Sequence, residues 1–563
     1  MCNCVGGDDY INRLLAPLEL LAAVEESAVR DMTLRSIEIV VNRMSDEHIG
    51  KFFIPFLSRL SSKDWFTSRI SAASLFHIVY NRLSETEKCR VRSLFHRLCS
   101  DDTPSVRRAA AVNFSALMNL MKPFEVFDEF IGTFNSIAKD EQDSVRIQVI
   151  TICISLATIL DSEQQASQIL PVVIAIGGDR SWRVRWSLAC RLHELCKPLG
   201  SQVSNSHLSS VFESLLNDSE AEVRSAAAGR LALICSFLRK GTIVSRVIPA
   251  VQRLVTDSSE HVRASLASVV NGLATSLGKE DTVERLLPIL LLLLRDEVSE
   301  VRSHPNKYSS SFYRLICSTS ISPQVRLNII SNLDAMNSVV SVDLLSQSLL
   351  PAIVDLAEDG KWRVRLAIIE LIPILAKHLG KEYFGDKLSA LCMAWLDDGV
   401  HSIRRAATEN LMQLTELFGE EWAVELIIPR IGRMQMHQNY LHRTTALYVL
   451  QVVVRCLSLT AINKKVLPII ILMAADPVPN IRFITAKTIQ LVYMRCQAIR
   501  ASSSSLKASN ASLYTATAEE LSSVLSKLLQ DPDRDVKFYA ALAMKVASKA
   551  SSPVSALKIV GKT

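Results

Sequence analysis

The stretch "VSRVIPAVQRLVTDSSEHVRASLASVVNGLATSLG" (244–278) decides how the chain reads. Apolar residues at helical spacing run up to Leu254 and Val255, and the polar turn "TDSSEH" follows. A second apolar-striped helix then runs to a glycine stop at Gly278. Pro249, inside the first helix, removes one backbone hydrogen bond and is expected to bend it. Asp257 is placed to cap the second helix or the turn, and also to pair with an arginine from the next rung.

Moving outward, the Val-Arg of this stretch recurs. Basic residues after a short polar turn fall at Arg30, Arg69, Arg107, Arg146, Arg185, Arg224, Arg263 and Arg302, then at Arg326, Arg365, Arg404, Arg443 and Arg482, with Lys537 last. Most gaps are 39 residues; the exceptions are 38, 24 and 55. The last exceeds the period by 16, which marks an insertion, and the 24-residue step marks another because the period resumes at Arg326. Pro171, Pro249, Pro288, Pro351, Pro429 and Pro468 keep the same phase. So does an aspartate six residues before the basic residue, at Asp101, Asp140, Asp179, Asp218, Asp257, Asp296, Asp359, Asp398, Asp476 and Asp531. Three residue types sharing one period define a repeat.

A unit of this size cannot bury a core alone and must stack on its neighbours. The expected fold is therefore all-α, an armadillo-like α-solenoid of thirteen helix hairpins over 10–550. It is flanked by an N-terminal extension (1–9) and a C-terminal tail (551–563). The first two units, Tyr10–Met44 and Ser45–Leu83, lack the aspartate but keep the helix pair. Exposed ion pairs contribute roughly 0–1 kcal/mol each, so apolar faces must supply most of the stacking energy.

Two interruptions stand out. "SHPNKYSSSFYRLICSTSISPQVR" (303–326) carries Pro305, Pro323 and seven serines, and removing it rejoins the flanking sequence in phase. It reads either as a looped-out regulatory insert or as non-native translated sequence such as a retained intron. The Val-Arg at both edges favours the second, and its deletion is expected to raise thermal stability. The other insert, about 498–516, is rich in serine and alanine and is expected to lie as a loop between repeats.

Composition bounds the function. The chain has 563 residues, 49% apolar and 21% charged, with a net charge of +6, which describes a globular protein and does not by itself argue for nucleic acid. Aspartate alternating with arginine in almost every turn further disfavours phosphate binding. No apolar run reaches the roughly 20 residues of a membrane span, and "MCNCVGGDDY" has no secretory apolar stretch. The 12 cysteines are scattered without a paired CxxC, so reduced, mostly buried thiols are expected, with no zinc site, other metal or cofactor. No HExxH, GxSxG, Walker loop or GxGxxG occurs, and the same-helix groups Cys190, His193, Glu194 and Cys196 read as packing. Asn113 and Asn510 match a glycosylation pattern without a secretory context. The chain is read as a non-enzyme with no small-molecule substrate.

A protein-docking edge remains. "SWRVRWSL" (181–188) and "KWRVRLAI" (361–368) place Trp182 and Trp362 in the same register of their repeats. A tryptophan at a turn is a frequent docking hot spot, against the alternative that it packs on a neighbouring turn.

Longer stretches carry a family resemblance. "DWFTSR" (64–69), "LCSDDTPSVRRAAA" (98–111), "DEQDSVR" (140–146), "DRSWRVR" (179–185), "SQSLLPAIVDLAEDGKWRVRLAIIELIP" (346–373), "LCMAWLDDGVHSIRRAAT" (391–408), "NYLHR" (439–443) and "ADPVPNIRF" (475–483) resemble the 65 kDa scaffolding, or regulatory, A subunits of serine/threonine protein phosphatase 2A. The resemblance implies a HEAT-repeat horseshoe without catalytic activity, working in the cytoplasm and also the nucleus. Its C-terminal repeats would hold a phosphatase catalytic subunit, its N-terminal repeats exchangeable regulatory B-type subunits. By position it gives Lys361, Trp362, Arg363, Val400, His401, Tyr440, Leu441, Arg443, Val478 and Pro479 to the catalytic subunit. It gives Trp65, Asp102, Thr103, Pro104, Arg108, Glu141, Asp143, Ser181, Trp182 and Arg183 to regulatory subunits. His401 departs from the tyrosine usual there. The family has about fifteen repeats, of which the first visible here corresponds to the third. The pI of about 8.6 departs from the family's acidic balance. A HEAT-type nuclear-transport receptor and a nucleic-acid-binding helical repeat are the alternatives; the steady period speaks against the first and the acidic turns against the second.

Overall fold

The computed structural model describes residues 7–294, 353–502 and 508–549. The insert 303–326, the tail 551–563, and Asp296, Arg302, Arg326 and Pro351 of the repeat markers lie outside those residues. The chain falls into two compact units, Met1–Leu293 and Leu294–Thr563. The described residues of both are helical throughout, with no strand among them.

In the first unit each repeat is a hairpin whose second helix opens on the polar turn. These second helices begin at Phe66, Pro104, Asp143, Trp182, Ala221 and Glu260. Their apolar stripe is buried: Val106, Ala110, Phe114 and Leu117 in one, Val184, Leu188, Leu192 and Leu195 in another. Neighbouring repeats interlock through aromatic rings, with Phe95 5.4 Å from Phe76 and Phe114 5.7 Å from Phe130. In the second unit the corresponding helices are Trp362–Lys387, His401–Phe418, Tyr440–Val453, Pro479–Ser502 and Arg534–Lys549. Phe384, Phe418 and Trp422 form the matching aromatic contact there.

The first helix of most hairpins is not regular. A five-residue π-helical turn precedes the proline in Ile49–Phe53, Gln165–Ile169, Ile243–Val247, Thr282–Leu286, Ala423–Ile427 and Ile462–Val466. The expectation of a proline bend thus takes a specific form: the proline stands at the start of the α-helical segment after the π turn. The same π turn occurs without proline at Val126–Phe130 and Ser204–Leu208. Proline therefore occupies an irregularity that the hairpin makes anyway.

The serine-rich insert differs from expectation. Its described parts are helix rather than loop, extending Pro479–Ser502 at one end and Ala508–Leu528 at the other. Side chains join these two helices: Tyr493 donates to the Ala518 carbonyl at 2.7 Å, and Arg500 lies 5.1 Å from the Tyr514 ring centroid. Alanine favours helix, and these contacts hold the added turns against the repeat.

Among the described cysteines, Cys99, Cys153, Cys196, Cys235, Cys392 and Cys496 are buried. Burial pushes the Cys196 thiol up to about 11 and Cys235 to about 12, so neither is a thiolate near neutral pH.

Candidate functional site

The turn between the two helices of most described repeats is built by one aspartate and one arginine. The aspartate Oδ1 accepts the backbone N–H two residues on, at 2.9 Å for Asp101 to Thr103 and 2.8 Å for Asp179 to Ser181. It closes the turn and does not cap the helix directly; the N-cap positions Thr103 and Ser181 make no side-chain cap. Six residues on, the arginine sends Nη1 back to the aspartate's own carbonyl, 2.8 Å for Arg107 and 2.7 Å for Arg185. Its other edge, Nε and Nη2, grips the aspartate of the following repeat with both oxygens.

This two-pronged pair recurs between successive repeats. In the first unit it joins Arg69–Asp101, Arg107–Asp140, Arg146–Asp179, Arg185–Asp218 and Arg224–Asp257. In the second it joins Arg365–Asp398, Arg443–Asp476 and Arg482–Asp531. Pairing between repeats is therefore present, but its direction differs from expectation: the aspartate takes the arginine of the preceding repeat, not of the next rung. These pairs are largely shielded: the Arg146 and Asp179 side chains are 6% and 13% exposed. Desolvation opposes ionisation of Asp140, Asp179, Asp218 and Asp257, but the arginine fork and the backbone N–H outweigh it. Their carboxyls are held below the ordinary aspartate value. At Asp531 the Arg482 fork is itself the leading cause of the same lowering.

The turns so fixed present the candidate partner residues at the start of each second helix. In the first unit Trp65 is an N-cap residue and 52% exposed. Asp102, Arg108 and Glu141 are exposed, and Thr103 and Pro104 are half-buried. The Thr103 hydroxyl accepts from Arg69 at 3.1 Å, and Ser181 donates to Asp143 at 2.9 Å, tying adjacent turns together. Trp182 is 39% exposed, with the exposed Arg183 guanidinium 5.8 Å from its ring centroid.

In the second unit Arg363 is exposed and stacks closer, 4.9 Å from the ring of Trp362, which is itself half-buried. Lys361, the N-cap, and Val400 are half-buried; His401, Tyr440, Leu441 and Pro479 are exposed, with Val478 half-buried. Arg443 stands apart: it is buried and engaged with Asp476 and with the His437 and Gln438 carbonyls. It shapes the turn that carries Tyr440 and Leu441.

Two shallow cavities adjoin these edges, one in each unit. The first, about 510 Å³, lies among Trp186, Cys190, Glu222, Arg230 and His261. The second, about 430 Å³, lies among His401, Arg404, Thr408, Leu441 and Tyr448. Sequence reading did not single out Trp186 or Arg404 as partner residues. For Arg404 the signal was available: the aspartate register skips position 437, which is histidine.

No grouping of three or more metal-ligating side chains occurs among the described residues, and no described helix is long and apolar enough to cross a membrane. Of the same-helix group near 193, Glu194 pairs with Arg191 at 2.7 Å and Cys196 contacts the Leu192 carbonyl. Burial lowers the His193 pKa. Asn113 donates to Ser74 and to the Ala109 carbonyl.

Both units thus define a helical-hairpin repeat protein of the HEAT class, and known proteins agree. Residues 201–278 match the PPP2R1A-like HEAT repeat, and residues 247–470 match the PIK3R4-like middle domain. Solved structures of Kap95p with RanGDP and of the Kap95:Nup1 complex share the fold, at TM-scores of 0.53 and 0.52 and 14% identity. They cover 95% of this chain and 70% and 73% of the matched chains. At that identity the likeness carries the fold and not the transport role.

The sequence likeness is more particular: over about a third of its length the chain is similar to regulatory A subunits of phosphatase 2A. It is 41% identical over 195 residues to the PP2A regulatory A subunit of Schizosaccharomyces pombe, covering 34% of this chain and 33% of the relative. It is 40% identical over 168 residues to a probable PP2A regulatory subunit of Caenorhabditis elegans, covering 30% and 28%. It is 49% identical over 107 residues to the beta isoform of the human 65 kDa regulatory A subunit, covering 19% and 18%. The matches span about a third or less of each of these relatives. Their names are those of regulatory subunits and not of enzymes, in keeping with the non-catalytic reading.

Proposed function

We propose that the chain is a non-catalytic scaffold for a phosphatase 2A-like serine/threonine phosphatase. Its C-terminal repeats hold the catalytic subunit, and its N-terminal repeats hold exchangeable B-type regulatory subunits in a heterotrimer. The chain would do this in the cytoplasm and also the nucleus, without cofactor, membrane or nucleic acid. One observation carries the reading. In each unit most residues that the family resemblance gives to partners lie on or beside the turns that open the second helices, and Arg–Asp pairs tie most of those turns together.

A few exposed anchors on a rigid edge suit a scaffold, because little conformational entropy is lost when a partner docks. Trp182 and Trp362, each beside an arginine, are the strongest anchors by residue type. Purified catalytic and regulatory subunits test this in pull-downs. Trp362→Ala is expected to weaken binding of the catalytic subunit by tenfold or more (about 1.4 kcal/mol) and to spare regulatory binding. Trp182→Ala is expected to act first on regulatory subunits. Full retention of both partners by both variants would remove this edge from the interface.

A further inference from the structure

The Arg–Asp ladder of the second unit has an open rung. Arg404 keeps the local half of the arrangement, with Nη1 donating to the Asp398 and Gly399 carbonyls at 2.8 and 3.1 Å. The residue 33 positions on, where Arg365, Arg443 and their counterparts find aspartate, is His437. Among the described residues Arg404 meets no carboxylate, and its Nε is buried without a hydrogen-bond partner.

His437 cannot fill the role. Its Nδ1 already accepts the Asn439 N–H at 3.0 Å, in the place where aspartate Oδ1 stands in the other turns. The tautomer this bond requires leaves the second ring nitrogen a donor, which offers nothing to a guanidinium. The first unit has a related rung, Arg30 facing Lys63, but Arg30 has no buried, unpartnered nitrogen and Lys63 pairs with Glu19.

Arg404 lines the cavity of about 430 Å³ beside His401 and Leu441, two of the residues given to the catalytic subunit. Its neighbour Arg405 is paired with Glu409 at 3.0 Å. Leu441 and Tyr448, each 40% exposed, supply apolar walls. In eight described rungs the same Nε and Nη2 edge holds a carboxylate by both oxygens. We propose that the open rung at Arg404 receives an aspartate or glutamate side chain of the docked phosphatase catalytic subunit, so that the partner completes the ladder. Shape and charge both point to a carboxylate: the free edge is a planar fork, and the cavity places apolar contact beside it. The inference rests on the scaffold reading and adds the chemistry of one contact to it.

The test titrates the full chain with purified catalytic subunit, in low and in raised salt, with thermal midpoints recorded for each variant. His437→Asp supplies the carboxylate from within. It is expected to lower affinity at least about fivefold and to flatten its salt dependence, while leaving the thermal midpoint at or above that of the parent. His437→Asn removes the imidazole without supplying a charge and is expected to bind as the parent does. Parent-like affinity and salt dependence in His437→Asp, or equal losses in the Asp and Asn variants, would overturn the proposal. Trp362→Ala separates the two levels. If it weakens binding while His437→Asp does not, only this contact fails; if it has no effect, the placement of the scaffold's edge fails.

Discussion

The rungs Arg146–Asp179 and Arg404–His437 share a turn, a register and the arginine's grip on its own backbone. They differ in one side chain. At the first, the guanidinium ties its own turn to the next repeat; at the second, it ties only its own turn. The arginine therefore has two separable jobs. Shaping the local turn needs no carboxylate, because backbone carbonyls and a histidine nitrogen suffice. Joining repeats does need one, and among the described ladder arginines only Arg404 has a buried nitrogen left without a partner.

The largest effect should come from breaking the complete rung. Asp179→Ala strands Arg146 in a site where its side chain is 6% exposed. A loss of about 3 kcal/mol in the first unit is expected in urea titrations. Replacing both partners by apolar residues of similar size should restore most of it, since the pair's desolvation cost disappears as well.

Acid should break several such rungs together. Asp140, Asp179, Asp218 and Asp257 have folded pKa values below the ordinary 3.8. Their contribution is fully present above that value and is lost as pH falls through the lower folded values. Hydrogen exchange from pH 5 downward should show these turns losing protection in that acid window.

Smaller effects come from the open rung. His437→Asp should slow amide exchange locally at Asn439 by an amount worth about 1 kcal/mol, because the new carboxylate satisfies both the turn and Arg404. His437→Ala removes one exposed acceptor and should cost under about 0.5 kcal/mol by the same measurement.

Much of this was legible in the sequence because a repeat writes its constraints many times. The positions of Arg107, Asp140 and their equivalents gave the period, the hairpin and the pairing between neighbours. The skipped aspartate at 437 was legible too, but a missing letter carries meaning only once the ladder has a direction, and that is a property of three-dimensional stacking. The π turns were not legible. They appear at Val126–Phe130 and Ser204–Leu208 without proline, so they answer to the packing of hairpins and not to a residue type. The helical extension around Arg500 and Tyr514 was hidden for a related reason: serine-rich composition suggested a loop, and long-range contacts decided otherwise. Among the candidate partner residues, sequence placed Tyr440 and Arg443 together, but only burial separates the exposed ring from the arginine beneath it.

Arg482 and Asp531 are 49 residues apart, against 32 for Arg69–Asp101 and 33 for the other described rungs, yet they make the same two-pronged contact at 2.6 and 3.0 Å. Length is thus absorbed where the hairpins turn back, while spacing along the opposite edge stays constant. A tether or reporter grafted near residue 500 should leave the spacing of the anchors unchanged. The repeat behaves like a comb whose teeth tolerate uneven length because the spine sets their pitch.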